Sequence, residues 1–276
     1  MYRSIFFLPL ILLGMIAGQL AAVPDAGSEV MVEENNTVPQ TEVAVISLGP
    51  TPPRRYSNAH KRGESVMLLP VAGEVPPARL FRRAGASAEQ EGRWQPFNLS
   101  FNNPSPMSSI PAGKTLALFR KKAKGEEYER YVTIPAGEQG SRRVIFLTPS
   151  ARGKQAWVKP PKVWTIPLDA GNLQGKQFIL QNLSQTRVLH AFGNKITEVR
   201  KKEIIAYQRP EAGMLYRHAA RYGKQKKIIY NMALRLDEEG NTHLYALYDT
   251  NPDTNAGRSV GVFKTVIPPA PSAQQD

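Results

Sequence analysis

Lys226-Lys227-Ile228-Ile229-Tyr230-Asn231-Met232-Ala233-Leu234-Arg235-Leu236, then Asp237-Glu238-Glu239-Gly240-Asn241, then Thr242-His243-Leu244-Tyr245-Ala246-Leu247-Tyr248: this stretch decides how the chain reads. On an extended backbone Ile228, Tyr230, Met232, Leu234 and Leu236 share one face. Lys227, Asn231 and Arg235 share the other with Ile229 and Ala233. Leu244, Ala246 and Tyr248 again recur at every second position. A period of two is the repeat of a strand, not a helix. The polar, glycine-bearing segment between the runs predicts a β-hairpin.

The same reading extends in both directions. Strands are predicted at 66–69, 79–82, 97–101, 115–120, 128–134 and 143–147, and again at 163–166, 177–182, 187–191, 196–199, 203–207, 214–222 and 259–266. Each is short and bounded by Pro, Gly, Ser or Asn, the spacing of a β-sandwich or barrel. The chain has 23 prolines, which oppose long helices. The fold predicted is therefore all-β, in two tandem sandwiches at 43–170 and 171–267. Their boundary falls within 167–175, which holds Gly171 and Gly175. A loose tail follows at 268–276.

The N-terminus reads differently. Arg3 precedes an apolar run at 5–16, and small residues end at Ala21 and Ala22. That order is a secretory signal peptide, 1–22, and its apolar run falls short of the roughly 20 residues of a spanning helix. Residues 23–42 are polar and acidic and read as a disordered linker. The expected location is the periplasm or envelope of a Gram-negative-type bacterium. No cysteine is present, which excludes disulfides and thiolate chemistry.

Net charge is +13, unevenly placed. Residues 23–53 hold five acids (Asp25, Glu29, Glu33, Glu34, Glu42) and no Lys or Arg. From Arg54 onward 35 basic residues face 18 acidic ones, a net +17. A basic body attracts anionic polymers or surfaces, and export disfavours nucleic acid as the partner. Basic composition also serves solubility alone.

Two internal echoes appear. Ile110-Pro111-Ala112-Gly113 recurs as Ile134-Pro135-Ala136-Gly137, and Leu99-Ser100-Phe101-Asn102-Asn103-Pro104-Ser105 is echoed by Phe178-Ile179-Leu180-Gln181-Asn182-Leu183-Ser184. The second suggests an early strand in each of two related sandwiches. With the long hairpin and a closing strand near 258–263, the 178–184 motif resembles an uncharacterised family of exported two-domain β-sandwich proteins from verrucomicrobial-type bacteria. The resemblance covers mainly 178–266. It implies paired immunoglobulin-like sandwiches and no known activity. The layout is also similar to two-sandwich accessory proteins of exopolysaccharide modification, at fold level alone.

Motifs for chemistry are sparse. Gly257-Arg258-Ser259-Val260-Gly261 matches G-x-S-x-G, but it leads into a strand and no histidine follows it. Asp249, Asn251 and Asp253 resemble the start of a calcium loop, yet Thr254 and Val260 stand where glycine and glutamate belong, so a plain loop is expected. His60, His190, His218 and His243 show no ligand spacing. His218 would share a face with Tyr216 and Tyr222, either as a ligand platform or as half-buried core. Basic clusters stand at Arg54-Arg55, Arg82-Arg83, Arg120-Lys121-Lys122-Ala123-Lys124, Arg142-Arg143 and Arg200-Lys201-Lys202. The richest interleaves Arg217, Arg221, Lys224, Lys226 and Lys227 with Tyr216, Tyr222 and Tyr230. Tyr216, Arg217, Arg221, Tyr222, Lys224, Lys226 and Lys227 are therefore the candidate anion- or partner-binding residues. Lysine-rich strand edges that resist aggregation would look the same. The function expected is a non-enzymatic binding or structural module of the envelope, recognising a protein or an anionic polymer such as an anionic polysaccharide, without cofactor or metal. The alternative is an envelope glycan-modifying enzyme or an accessory subunit of exopolysaccharide modification.

Overall fold

Four stretches of the chain, two early and two late, are apolar and buried at every position: Val43 to Ile46, Val144 to Leu147, Phe178 to Leu180 and Leu244 to Leu247. A strand with no polar face must be buried on both sides, and in this chain such strands pair in parallel. The computed structural model describes residues 39–57, 66–84, 93–122, 125–208, 215–223, 227–235, 240–253 and 255–269, without the side chains of Ala84, Asn98, Leu215, Tyr216, Arg217 and Arg235. The segments predicted as signal peptide and tail, most of the predicted acidic linker, His60, Lys224 and Lys226 lie wholly or largely outside the described residues.

The first half contributes β1 (Gln40–Ser47), β2 (Arg55–Ser57), β3 (Val66–Leu68), β4 (Arg79–Ala84), β5 (Arg93–Asn98), β6 (Ser100–Phe101), β7 (Ser108–Pro111), β8 (Leu116–Lys121), β9 (Tyr128–Ile134), β10 (Arg142–Thr148) and β11 (Lys162–Pro167). After a 3-10 turn at Gly171–Leu173 come β12 (Phe178–Asn182), β13 (Val188–Phe192), β14 (Lys195–Val199), β15 (Ile204–Tyr207), β16 (Leu215–Tyr222), β17 (Lys227–Arg235), β18 (Thr242–Asp249) and β19 (Val260–Ile267). The described residues contain no α-helix, so the all-β reading holds.

Four main sheets result. Sheet I runs β11-β10-β1-β6, with β7 also on β1; sheet II runs β5-β4-β8-β9; sheet III runs β15-β12-β18-β19; sheet IV runs β14-β13-β16-β17. Three apolar interiors stack them in the order II, I, III, IV. Val43, Val45, Ile145 and Leu147 of sheet I meet Leu80, Leu118 and Val132 of sheet II. The alternate residues Ala44, Ile46, Val144 and Phe146 meet Ile179, Leu244, Ala246 and Phe263 of sheet III. Phe178, Leu180, Tyr245 and Leu247 then meet Val188, Ala220, Tyr230 and Leu234 of sheet IV. Sheets I and III are thus inner layers, and the described residues between 39 and 269 form one compact unit.

The halves repeat one pairing scheme. β1 lies parallel to β10, which lies antiparallel to β11; β12 lies parallel to β18, which lies antiparallel to β19. β7 and β15 flank β1 and β12 from the other side, both antiparallel. Even local irregularities recur. The β8–β9 hairpin shifts register between Leu118 and Phe119, and β16–β17 shifts between Ala220 and Arg221. The Leu48 N–H donates to the Leu147 carbonyl at 2.8 Å, and Leu183 donates to Leu247 at 2.7 Å. Asn102 and Lys202, at φ 54° and 69°, donate to Ser47 and Asn182. Each half has a central parallel pair, where an immunoglobulin constant domain has two antiparallel sheets.

This register corrects two readings. The partner of Phe178–Asn182 in the first half is β1, not the 99–105 segment, whose Ser100–Phe101 is a short flanking strand. The predicted hairpin joining 226–236 to 242–248 does not form. β17 pairs β16 in the outer sheet IV, while β18 lies in inner sheet III beside β12 and β19. The physical reason is burial. Asn231 and Ala233 give β17 a wet face, whereas Leu244 to Leu247 of β18 are buried on both faces. A polar, glycine-bearing link suits a crossing between layers as well as a hairpin. The register shift also turns Ile228 outward and sets Ile229 in the core, so the predicted face breaks at its first residue.

Candidate functional site

The residues singled out in the sequence divide between two faces of sheet IV. Tyr222 is buried, and its Oη accepts the Ser259 N–H at 2.9 Å, so its ring belongs to the core. Arg221 points the other way, to the outer face, beside a shallow groove of about 300 Å3 that includes Leu189, Ala191, Ile196 and Ile228. Lys227 is exposed and donates to the Gly257 carbonyl at 3.3 Å. Tyr216 and Arg217 are placed by their backbone in β16; Lys224 and Lys226 lie outside the described residues. The described outer face around Arg221 is aliphatic, with no ring beside the arginine.

His218 joins the interior. His190 and His218 are fully buried between sheets III and IV, with ring centroids 6.3 Å apart. Phe178 stacks on His190 at 5.5 Å, and Tyr245 meets His218 edge-on at 5.0 Å. Tyr207 and Tyr245 hydroxyls stand 3.4 Å from His190 Nδ1 and His218 Nε2. Burial, reinforced by neighbouring His218, pushes His190 down to about 3. Burial, then His243 and Lys264, pushes His218 down to about 4. Both rings are therefore neutral near pH 7, and burial holds the Tyr230 phenol well above its usual range. No group of three metal-binding side chains occurs among the described residues.

Other motifs resolve into structure. Asp249 Oδ1 accepts the Gln185 N–H at 3.0 Å and so ties two loops together, and Asn251 Oδ1 accepts the Asp253 N–H at 3.1 Å and so organises a turn. Arg142 and Arg143 are buried: Arg142 bonds Glu42 Oε2 at 3.0 Å and the Pro268 carbonyl at 2.8 Å, and Arg143 bonds the Pro135 and Ala136 carbonyls. That pair is a structural clamp.

The outer face of sheet II carries a constellation the sequence reading missed. Residues facing away from Leu80, Leu118 and Val132 bring Phe81, Trp94, Phe119 and Tyr128 together across four strands. Trp94 stacks on Tyr128 with centroids 4.2 Å apart and meets Phe119 edge-on at 5.0 Å. Phe81 meets Tyr128 at 4.9 Å. Arg83 lies over Trp94 at 5.3 Å and Arg130 over Phe119 at 5.9 Å. Both arginines are exposed, and the four rings are half-buried. The site is assembled by register: Arg83 stands opposite Trp94, Phe81 opposite Phe119, Phe119 opposite Arg130, and Lys121 opposite Tyr128. The signal was present as alternation, Phe81-Arg82-Arg83 and Tyr128-Glu129-Arg130, where ring and cation share the face opposite the core. Such a face can stack a flat or ring-shaped ligand and neutralise its charge.

No family model matches the chain, and no curated protein matches it. Among the described residues no helix is long and apolar enough to cross a membrane.

Proposed function

We propose that this protein is an exported, non-enzymatic envelope module that holds an anionic polysaccharide on the outer face of sheet II. The observation that carries this reading is the Phe81–Trp94–Phe119–Tyr128 ring cluster with Arg83 and Arg130 laid over it. Sugar rings present apolar faces to aromatic side chains, and uronate or sulfate groups pair with guanidinium. The net +17 from Arg54 onward adds long-range attraction for a polyanion. Export, drawn from residues 1–22, and the resemblance at 178–266 belong to the same proposal.

The test is binding of polygalacturonate and heparin, with neutral dextran as control, over rising salt. Wild type binds both polyanions, weakens as salt rises and ignores dextran. Trp94→Ala and Arg83→Glu each weaken binding at least tenfold while circular dichroism is unchanged. Equal binding by wild type and both variants would remove the face from the reading; no binding to either polyanion at low salt would remove the function.

A further inference from the structure

We infer that the protein has a second binding site, a cleft of about 990 Å3 where β1, β10, β12 and β18 run out together, and that it takes a short oligosaccharide bearing carboxylate or phosphate. The four strands end side by side because each half places its parallel pair in an inner layer. The floor is Leu48 and Leu183, which hold equivalent places in the two halves. The size matches sites for small ligands.

The lining is cationic. Arg55, Arg152, Lys154 and Lys162 face the opening against two acids, Glu74 and Asp249. Both acids are committed. Glu74 Oε2 accepts from Arg55 Nη2 and from the Val71 N–H at 2.8 Å. Asp249 Oδ1 accepts the Gln185 N–H at 3.0 Å. Among the described residues no ion pair joins Arg152, Lys154 or Lys162 to an acid. The carboxylates thus build the walls, and surplus positive charge meets the ligand.

Trp164 and Tyr248 supply rings and Ser150 and Ser259 supply hydroxyls, whereas the Thr250 hydroxyl donates to the Arg258 carbonyl at 2.8 Å. Trp164 is fixed by its Nε1–H to Thr148 Oγ1 at 2.8 Å. Pro50, Pro52, Pro53 and Pro149 stiffen the rim, which lowers the entropy lost on binding. Rings, hydroxyls and unpaired cations together match a charged sugar better than an apolar metabolite or a bare ion. The scaffold does not require this cleft. Residues 48–78 link β1 to β4, whereas 183–187 suffice for the equivalent link from β12 to β13, and the longer link supplies Pro50 to Pro53, Arg55 and Glu74.

Calorimetry on the full chain with trigalacturonate, glucose 6-phosphate and neutral maltotriose tests the inference. At least one anionic ligand binds, and maltotriose binds at least tenfold more weakly. The galacturonate and phosphate arms identify the charged group. Arg152 and Lys154 are exposed loop residues, so Arg152→Glu with Lys154→Glu preserves the fold and lowers anionic affinity at least tenfold. In a Trp94→Ala background, where the sheet II face is disabled, the cleft still takes up one anionic ligand per chain and the double variant loses it, which separates the two sites. Absence of binding by both anions at millimolar concentration overturns the proposal, as does full affinity in the double variant.

Discussion

The outer faces of sheets II and IV sit on the same scaffold and carry opposite chemistry. Register makes Phe81, Arg83, Trp94, Phe119 and Arg130 the counterparts of Leu189, Ala191, Ile196, Arg221 and Ile228. The inward neighbours stay apolar: Leu80 and Leu118 in one half, Val188 and Ala220 in the other, all fully buried. Sheet IV keeps the same strand order and the same register shift without any of the aromatic outer residues. The fold therefore does not need the ring-and-arginine cluster of sheet II. A cluster dispensable to the scaffold is better explained by what it meets in solvent.

The largest effects should come from what the halves share. Leu147 and Leu247 occupy equivalent positions and are both fully buried. Leu147→Ala and Leu247→Ala should each cost about 3–5 kcal/mol. Sheets I and III share one interior, so both variants should lower the same denaturation midpoint. Two separable transitions in chemical denaturation, each moved by one variant, would break the picture of a single stacked unit.

The next effect separates the halves. Only the second buries histidines among the described residues, and the folded values of His190 and His218 lie below the ordinary value of 6.5. An unfolded chain takes up protons on them as pH falls through 6.5, while the folded chain does not. Stability is thus complete above about pH 6.5 and is lost as pH falls toward 4, by about 2 kcal/mol per histidine at pH 5. His218→Phe should roughly halve this slope between pH 6.5 and 4.5 in urea titrations at fixed pH. An unchanged slope would show that other groups carry the acid sensitivity.

How much of this was legible follows from the range of the interactions. Strand identity is local, and alternation revealed most strands. The four doubly buried strands were visible as unbroken apolar runs, but their parallel pairing joins Val45 to Ile145 and Leu180 to Tyr245, and no local pattern encodes such partners. The β17–β18 link misled because a polar, glycine-bearing segment serves both a hairpin and a crossing between layers. The sheet II cluster was half legible: its rings and cations alternate on each strand, yet Trp94 meets Tyr128 only through β4 and β8. Three histidines scattered in sequence, His190, His218 and His243, influence one another for the same long-range reason.

The smallest predicted effect tests the outer faces directly. Arg221 is the one arginine that the aliphatic face of sheet IV retains at a position equivalent to the sheet II cluster. If charge alone governs polyanion binding, Arg221→Glu and Arg83→Glu should weaken it equally, since each reverses one exposed or half-exposed cation on an outer sheet. If ring stacking fixes the charge in place, Arg83→Glu should cost at least tenfold and Arg221→Glu no more than about twofold, the scale of a solvent-screened surface charge. Heparin titrations of both variants at one salt concentration measure the ratio. The second outcome is expected, because Arg83 lies on Trp94 whereas the described groove beside Arg221 is formed by Leu189, Ala191, Ile196 and Ile228 and offers no aromatic surface. Equal losses would reduce the sheet II face to one basic patch among several and return the weight to the net charge of the body.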